Sequence, residues 1–366
     1  MAENNHESAS ERPERPERPE ARQTPAQTIV LQTGGSRLTR LLCWIGWAGF
    51  AVCVALLIGQ RKTLSEYFDT TDGIQEKYHS GDKYGRDKVA IISVAGTIID
   101  GSSVKKQIDR VRDDPNVKAV VLRVDSPGGT VYGSDFIYHH LKKLQKEKGI
   151  PLVVSMGGVA ASGGYYVSMA VGDQETSIFA EPTTTTGSIG VMIPHYDLSG
   201  LLARFDIKDD TLVTHPRKGM LSMTRSMTDD HRQVMQAHLD EMFGRFKEIV
   251  KEGRPAYRDD DDALKQLATG EPFTAFQAQK HGLVDEIGFI EDAIDRVIGL
   301  AKLDKEKTRV VELRRPPSFL DIPGLMEAVQ PGGDLASWHD LNTPRAYFLM
   351  TTLPPLLTNR RVESDR

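Results

Sequence analysis

Ser162 is the residue whose neighbours most strongly suggest chemistry. It lies in residues 160–166, Ala-Ala-Ser-Gly-Gly-Tyr-Tyr, just after an apolar run that is typical of a buried strand. Its small neighbours would let a substrate backbone come close, and glycine adopts conformations that are closed to other residues. Helical spacing follows, so the serine would stand at a strand-to-helix junction, where free N–H groups can stabilise an oxyanion. A packing seam of small residues explains this motif alone equally well.

Two further motifs accompany this serine. Residues 118–124 form a second apolar run that ends in Asp-Ser-Pro-Gly-Gly at 125–129, and Thr-Gly-Ser-Ile-Gly-Val follows at 186–191. In this order the three motifs resemble those of the signal peptide peptidase A family of serine proteases, over about residues 88–303. The resemblance implies an α/β fold of the Clp-protease/crotonase-like type, with a parallel sheet and covering helices. It also implies an endopeptidase that degrades cleaved signal peptides and other apolar or unfolded segments, with no metal or other cofactor.

A serine nucleophile needs a base that accepts its proton. The nearest downstream histidines, His195 and His215, stand in no glycine-rich or strand-end context that would aim them at the serine. The resemblance instead implies a lysine on the segment before a Met-Thr-acidic-acidic helix start. Lys218 occupies that segment, ahead of Ser-Met-Thr-Asp-Asp at 226–230. In general, a lysine has an ordinary pKa of about 10.4 and accepts a proton near neutral pH only where burial lowers that pKa.

Alternatives to Lys218 as the base stay open. It can be one solvated charge among 46 lysines and arginines, since the family's usual Ser-Gly before the lysine reads Thr-His at 214–215. Arg217 is an equally basic neighbour, but an arginine effectively cannot be deprotonated, which favours Lys218. Ser188 is a candidate hydroxyl for orienting the lysine.

Backbone N–H groups are expected to form the oxyanion hole, because no asparagine or glutamine closely flanks the serine. The resemblance assigns this role to Gly128, Gly129 and Gly163. One such donor contributes about 3 kcal/mol to catalysis. A plain Pro-Gly turn would explain residues 127–129 in isolation. Their place between two strand-like runs and ahead of the serine motif favours the catalytic interpretation.

Composition excludes several classes of function. The 366 residues carry a formal net charge of −5 and contain no basic stripe with interleaved aromatics, which argues against nucleic-acid binding. Both cysteines, Cys43 and Cys53, precede the predicted α/β domain. That domain can therefore have neither a disulfide framework nor a cysteine metal site.

An uncharged stretch at residues 41–59 has the length of a single transmembrane helix. Trp44 and Trp47 near its start are typical of an interfacial belt, and the apolar run is too long for a signal peptide. The repeated Glu-Arg-Pro in residues 1–40 predicts a disordered tail. The arginines of this tail favour a cytoplasmic N-terminus, with the catalytic domain on the outer side of the cell (inner) membrane.

The rest of the chain alternates strands and helices, which predicts a parallel sheet with active-site residues at the carboxyl ends of its strands. Apolar runs predict strands at 89–94, 118–124 and 151–156. Helical spacing predicts a long helix from Thr228 and another at 290–300. The predicted boundaries are a linker at 60–86, a peptidase domain at 87–303 and a C-terminal extension at 304–366.

Together these features predict a membrane-anchored serine endopeptidase with a Ser162–Lys218 dyad. By resemblance, a chain with one copy of the domain would form a ring-shaped homo-oligomer, and serine and lysine can come from different subunits. Two other classes stay open. One is a crotonase-type acyl-CoA enzyme, which shares the oxyanion turn but uses acidic residues. The other is an inactive membrane scaffold of the same fold, suggested by the altered residues before Lys218.

Overall fold

The computed structural model describes residues 42–55, 70–71, 73–315 and 346–350. They fall into two compact units: the helical residues 42–55 (α1) belong to one, and all described residues from 70 onward belong to the other. The predicted tail lies outside the described residues, as do Leu41 and residues 56–59 of the predicted transmembrane stretch. Among the helices that are described, none is both long and apolar enough to cross a membrane.

The second unit is built from strands and helices in alternation. Its strands are β1 Thr70–Thr71, β2 Ile74–Gly81, β3 Asp87–Ala95, β4 Val117–Ser126, β5 Gly128–Thr130, β6 Leu152–Ala161, β7 Ile178–Ala180, β8 Thr185–Gly187, β9 Pro272–Thr274, β10 Glu286–Ile287, β11 Thr308–Arg314 and β12 Tyr347–Leu349. Its helices are α2 Ser102–Asp113, α3 Val131–Lys148, α4 Gly163–Ser168, α5 Ser199–Arg204, α6 Asp229–Gly253, α7 Asp261–Leu267, α8 Ala275–Lys280 and α9 Ile290–Leu300. The predicted strands at 89–94, 118–124 and 151–156 are confirmed as β3, β4 and β6.

The central sheet is mostly parallel. Its main path runs β1-β2-β11-β3-β4-β6-β7-β10, and every neighbouring pair from β11 to β10 is parallel. Strand β8 adds to the carboxyl end of β6, and β9 pairs antiparallel with β8. Because parallel strands end at the same edge of a sheet, the serine motif after β6 lies near the Asp-Ser-Pro-Gly-Gly motif at the end of β4. This mixed α/β architecture fits a Clp-protease-like fold.

Two apolar cores cover the two faces of the sheet. In β3, Val89 and Ile91 point to one core, and Ala90 and Ile92 point to the other, as the two-residue period of a strand requires. Helix α9 packs on the first core, while α2, α3, α4 and α6 contribute to the second. Burial on both faces explains why these strands read as nearly continuous apolar runs.

The predicted boundaries of the domain differ from the structure at both ends. Residues 74–81, predicted as part of a polar linker, form β2, which pairs antiparallel with β11. Strand β11 comes from the predicted C-terminal extension, yet it lies inside the sheet between β2 and β3. The polar sequence of β2 concealed the strand, because a strand near a sheet edge alternates buried and exposed residues and needs few apolar ones.

A cluster of charged side chains links β2 to β3 and to the C-terminal end of α2. Lys88 Nζ lies 2.8 Å from Glu76 Oε2 and 2.9 Å from Asp114 Oδ2, while Arg110 reaches Glu76 at 3.0 Å. Burial alone would raise the pKa of Asp114. The hydrogen bonds from the Lys88 side chain and the Asn116 amide outweigh burial and hold that pKa below its ordinary value.

Candidate active site

Ser162 lies at the turn between β6 and α4 in a conformation that side-chain-bearing residues rarely adopt. Its backbone angles are φ 54° and ψ −113°, and only 1% of its surface is exposed. Backbone strain of this kind costs about 1–3 kcal/mol and clusters at functional sites, where the surrounding structure enforces it. Here the Ser162 amide donates to the Gly187 carbonyl at 2.7 Å, and the Ser162 carbonyl accepts from the Tyr166 amide at 2.8 Å. A sharp strand-to-helix turn of this type presents a nucleophile at the end of a sheet.

Two buried tyrosines fix the short helix that follows the serine. Tyr165 Oη donates to the Leu283 carbonyl at 2.9 Å, and Tyr166 Oη donates to Asp135 Oδ1 at 2.5 Å. Both side chains are fully buried, and burial raises the pKa of each phenol well above its ordinary value. For Tyr166, the carboxylate of Asp135 raises the pKa further. The two tyrosines therefore stay neutral donors and hold α4, and with it Ser162, against the core.

The structure brings the three predicted oxyanion glycines together. A Cβ atom built on Gly163 would lie 3.1 Å from both the Gly128 Cα and the Gly129 nitrogen, and 2.5 Å from Ser134 Oγ. A Cβ on Gly129 would lie 1.8 Å from the Ile98 carbonyl oxygen. Side chains at these positions would push the backbones apart, so glycine is what allows the turn after β4 to contact the start of α4.

The three glycines do not have equally available N–H groups. The Gly128 amide donates to Ser126 Oγ at 3.1 Å, and that hydroxyl donates to the Gly96 carbonyl at 2.6 Å. Gly163 is the first residue of α4, and the first N–H groups of a helix have no partner within that helix. Of the three, the Gly163 amide is therefore the best placed to bind an oxyanion, and Gly129 lies beside it, paired with Phe348 of β12. This role of Ser126 was not predicted from the sequence, although the serine stands within the Asp-Ser-Pro-Gly-Gly motif.

Lys218 lies away from the core that holds Ser162. It belongs to a short 3-10 helix, Pro216–Gly219, whose residues are exposed or half-buried. Its amide donates to the His215 carbonyl at 2.9 Å, but its side chain makes no hydrogen bond or ion pair with any described residue. The Ser162 hydroxyl likewise has no hydrogen-bond partner among them. Within one subunit, the side chains of Ser162 and Lys218 are therefore not hydrogen-bonded to each other.

The other candidates for the base and its orientation also have local partners. Ser188 Oγ donates to the Gly270 carbonyl at 3.1 Å, and His215 Nδ1 accepts from the Arg217 amide at 3.2 Å. Arg217 pairs with Asp230 at 2.7 Å near the start of α6, and His195 Nε2 lies 3.1 Å from the Ser222 carbonyl oxygen. Within the described residues, no group of three or more His, Cys, Asp or Glu side chains is arranged to hold a metal ion.

Comparison with known proteins places the chain in a family. The sequence profile of Peptidase family S49 matches residues 144–304. A protein of Enterococcus faecium named as a signal peptide peptidase, SppA, is 33% identical over 280 residues, which cover 70% of this chain and 77% of that protein. The chain belongs to peptidase family S49, the signal peptide peptidase A family.

Other proteases match over much of the chain. Protease 4 of Salmonella typhi is 35% identical over 224 residues, which are 59% of this chain and 35% of that protein. The chloroplastic serine protease SPPA of Arabidopsis thaliana is 30% identical over 267 residues, 67% of this chain and 37% of that protein. This S49 member is therefore a serine protease, which confirms the predicted family and enzyme class and excludes a crotonase-type acyl-CoA enzyme.

Proposed function

We propose that this serine protease is a membrane-anchored endopeptidase with Ser162 as its nucleophile and Lys218 as its general base. One observation carries the proposal: all three sequence motifs meet at Ser162. Its amide is bonded to Gly187 of the third motif, and the glycine that follows it packs against Gly128 and Gly129 of the first. No simple packing seam would require the strained backbone of the serine as well.

The proposed reaction begins when Ser162 Oγ attacks the carbonyl carbon of a peptide bond. The base takes the hydroxyl proton, and the amides of Gly129 and Gly163 stabilise the negative charge that develops on the carbonyl oxygen. The tetrahedral intermediate then collapses, and the leaving amine takes the proton from the base. Water hydrolyses the resulting ester with Ser162 in the second half of the cycle. The rigid turn and α4 position the nucleophile before substrate binds.

The position of Lys218 supports a site that is completed between subunits. The segment around it exposes large apolar side chains, among them Leu201, Phe205, Ile207 and Leu212. Contact with a second copy would cover these side chains and would supply the burial that a lysine base needs. This supports a ring-shaped homo-oligomer in which Lys218 of one subunit serves Ser162 of the next.

The uncharged stretch at 41–59 supports a single-pass anchor, with residues 1–40 in the cytoplasm and the peptidase domain outside the inner membrane. The name of the Enterococcus faecium relative supports signal peptides as substrates. Such substrates are apolar and lie at the membrane after cleavage, where an anchored protease would find them. Other apolar or unfolded segments would share the chemistry that the site accepts.

The proposal is tested by hydrolysis of casein and of a synthetic signal peptide by the full-length protein in detergent. Ser162→Ala should abolish hydrolysis, while its melting temperature should stay that of the wild type because one hydroxyl is removed and the Cβ is kept. Ser168→Ala is the matched control, since the Ser168 hydroxyl only bonds back to the Gly164 carbonyl at 2.9 Å. Hydrolysis by folded Ser162→Ala at the wild-type rate would overturn the proposal.

A further inference from the structure

The segment that carries Lys218 has almost no core of its own. We call residues 194–228 the arm, since they lead from just after the third motif to the start of α6. None of residues 190–245 is buried, although the arm contains many large apolar side chains. Because burial of apolar area is what stabilises a packed segment, apolar packing within one subunit contributes little to the conformation of the arm. Polar contacts therefore maintain most of its shape.

The carboxylate of Asp209 is the centre of these polar contacts. Arg225 Nε lies 2.6 Å from Asp209 Oδ2 and Arg225 Nη2 lies 3.3 Å from Oδ1, so the two side chains pair through two bonds. The Thr224 hydroxyl donates to Oδ2 at 2.5 Å, and the amide and hydroxyl of Thr211 donate to Oδ1 at 2.9 Å and 2.5 Å. These donors surround the carboxylate, and 9% of the Asp209 side chain is exposed. Hydrogen bonds from Arg225 and then from the two threonines hold the pKa of Asp209 well below its ordinary value.

The pair of Asp209 and Arg225 encloses Lys218. Asp209 precedes Lys218 along the chain, and Arg225 follows it. Arg225 Nη2 also donates to the Thr211 carbonyl at 2.9 Å. A Cβ atom built on Gly219 would lie 3.8 Å from Arg225 Nη1, so the guanidinium lies beside the residue that follows Lys218. The ion pair thus closes a loop that contains Lys218, next to the short 3-10 helix on which the lysine lies.

A second carboxylate joins the beginning of the arm to its end. Asp197 accepts from the Ser226 hydroxyl at 2.7 Å and from the Ser199 amide at 2.9 Å. The Leu198 amide donates to the Met223 carbonyl at 2.8 Å. Hydrogen bonds from Ser199 and then from Ser226 lower the pKa of Asp197 to about 2, so this carboxylate is charged at neutral pH.

We propose that Asp209 is a positioning residue for Lys218, which fixes the shape of the arm before the arm meets another subunit. A base that is already held in place loses less conformational entropy when it engages its partner. Misplacement of a catalytic group by about 1 Å can cost about 10²-fold in rate. The inference rests on the proposed function, since it takes Lys218 as the base.

A purely structural role for the same contacts leads to a different expectation. If the contacts only stabilise a surface loop, removal of the Asp209 carboxylate would loosen the arm without changing the rate at which Ser162 reacts. If they position Lys218, the reactivity of Ser162 falls, and it falls only while Lys218 is present. The conformation of the arm and the reactivity of the serine must therefore both be measured.

Hydrogen–deuterium exchange of the full-length protein in detergent, followed by mass spectrometry, reports the conformation of the arm. In Asp209→Ala, peptides from residues 195–226 should exchange at least about tenfold faster than in the wild type, and peptides from residues 246–253 should be unchanged. Asp210→Ala is the matched control, because Asp210 is exposed and has no hydrogen bond or ion pair with another residue that the structure describes. Exchange at the wild-type rate throughout the arm of Asp209→Ala would overturn the proposal.

The rate at which a fluorophosphonate labels Ser162 reports the reactivity of the nucleophile without a substrate. Asp209→Ala should slow labelling about 10- to 100-fold, and it should lower kcat for a fluorogenic peptide by a similar factor with little change in KM. In the Lys218→Ala background, where labelling is already slow, adding Asp209→Ala should slow it no further. Asp210→Ala should be labelled at the wild-type rate. Equal slowing by Asp209→Ala in both backgrounds would contradict a role that acts through Lys218.

The two measurements separate failure of this inference from failure of the proposed function. An unchanged labelling rate in Asp209→Ala, beside slow labelling of Lys218→Ala, would overturn the inference alone. Labelling of Lys218→Ala at the wild-type rate would refute Lys218 as the base, and the role of Asp209 with it. If Asp209→Ala does not form oligomers of the wild-type size, Asp209→Asn replaces it, since this change keeps the shape of the side chain and removes its charge. A smaller effect in the same direction is then expected, and the absence of any effect would overturn the proposal.

Discussion

The backbone amide of Ser162 donates a 2.7 Å hydrogen bond to the carbonyl of Gly187, the last residue of β8. Gly187 itself has φ 76°, and a Cβ there would lie 2.5 Å from the ring of Phe273. The bond helps to hold the serine in its strained turn. It joins residues of two motifs that are well separated along the chain, so the third motif has a direct part in shaping the nucleophile's position.

Gly163→Ala should lower kcat by about 10²-fold or more, and it should also lower the melting temperature, because the new Cβ would lie 2.5 Å from Ser134 Oγ. Its methyl group would contact Ser134 Oγ and would separate the Gly163 and Gly129 amides, which lie too close for a side chain between them. Steady-state hydrolysis of a fluorogenic peptide measures the effect. Gly158→Ala is the control, since its nearest atom, Asp125 Oδ1, would be 3.8 Å from the new Cβ. Equal kcat for the two variants would contradict the oxyanion assignment.

Lys218→Arg should be as inactive as Lys218→Ala, because an arginine keeps its proton and cannot accept another. Rates for both variants and for Arg217→Lys, measured from pH 6 to pH 10, test this prediction. Substantial activity in Lys218→Arg would require another base, and His215 would be the next candidate.

Mixing variants shows whether the dyad crosses subunits. When Ser162→Ala and Lys218→Ala are unfolded together and reassembled, some mixed oligomers should contain an intact pair, and activity should return. Each variant treated alone should stay inactive. An inactive mixture that has reassembled into oligomers of the wild-type size would show that the two residues do not pair between subunits.

Protease added to intact spheroplasts should digest the domain after Leu64 and spare the Glu-Arg-Pro tail. This follows from the proposed orientation of residues 41–59, with the arginine-rich tail in the cytoplasm. Antibodies against tags at the two ends report which part survives. A digested tail beside an intact domain would reverse the orientation.

Asp114→Asn should destabilise the domain by about 1–3 kcal/mol at pH 7, because Lys88 loses a charged partner at 2.9 Å. The native pKa of Asp114 is depressed, so its contribution is present above about pH 4 and is lost as the pH falls through the native pKa. The difference in the free energy of unfolding between wild type and variant, measured by urea unfolding, should therefore be smaller at pH 3 than at pH 7. Asp113→Asn is the control, since this 62%-exposed carboxylate pairs with Arg112 at the surface and should change stability little. A difference in the free energy of unfolding that does not depend on pH would contradict this account.

The sequence was a good guide to the sheet and to the serine. The buried parallel strands are continuous apolar runs, and Thr228 caps α6 by accepting from the His231 amide, as its position before two aspartates suggested. The family resemblance assigned Gly128, Gly129 and Gly163 to one site, and the rule that parallel strands end at one edge explains why they meet. These features depend on local pattern and topology, which a single sequence carries.

Pairing across long distances along the chain could not be predicted. Strand β2 is polar, and β12 is a short apolar run far from its partner β5, so neither has a periodicity that identifies a neighbour. The exposed place of Lys218 could not be decided from the sequence either, because the local sequence does not show how this segment packs against the rest of the domain. The role of Ser126 in binding the Gly128 amide is a matter of side-chain direction that motif letters do not give.

Labelling with a serine-reactive fluorophosphonate probe, followed by peptide mapping, tests the central claim most directly. The probe reacts only with an activated serine hydroxyl, so it reports the nucleophile without any assumption about substrate. We predict one adduct on Ser162, its absence in Ser162→Ala, much slower labelling in Lys218→Arg, and wild-type labelling in Ser168→Ala. An adduct on a different serine, or undiminished labelling of Ser162→Ala, would contradict the assignment of Ser162 as the nucleophile.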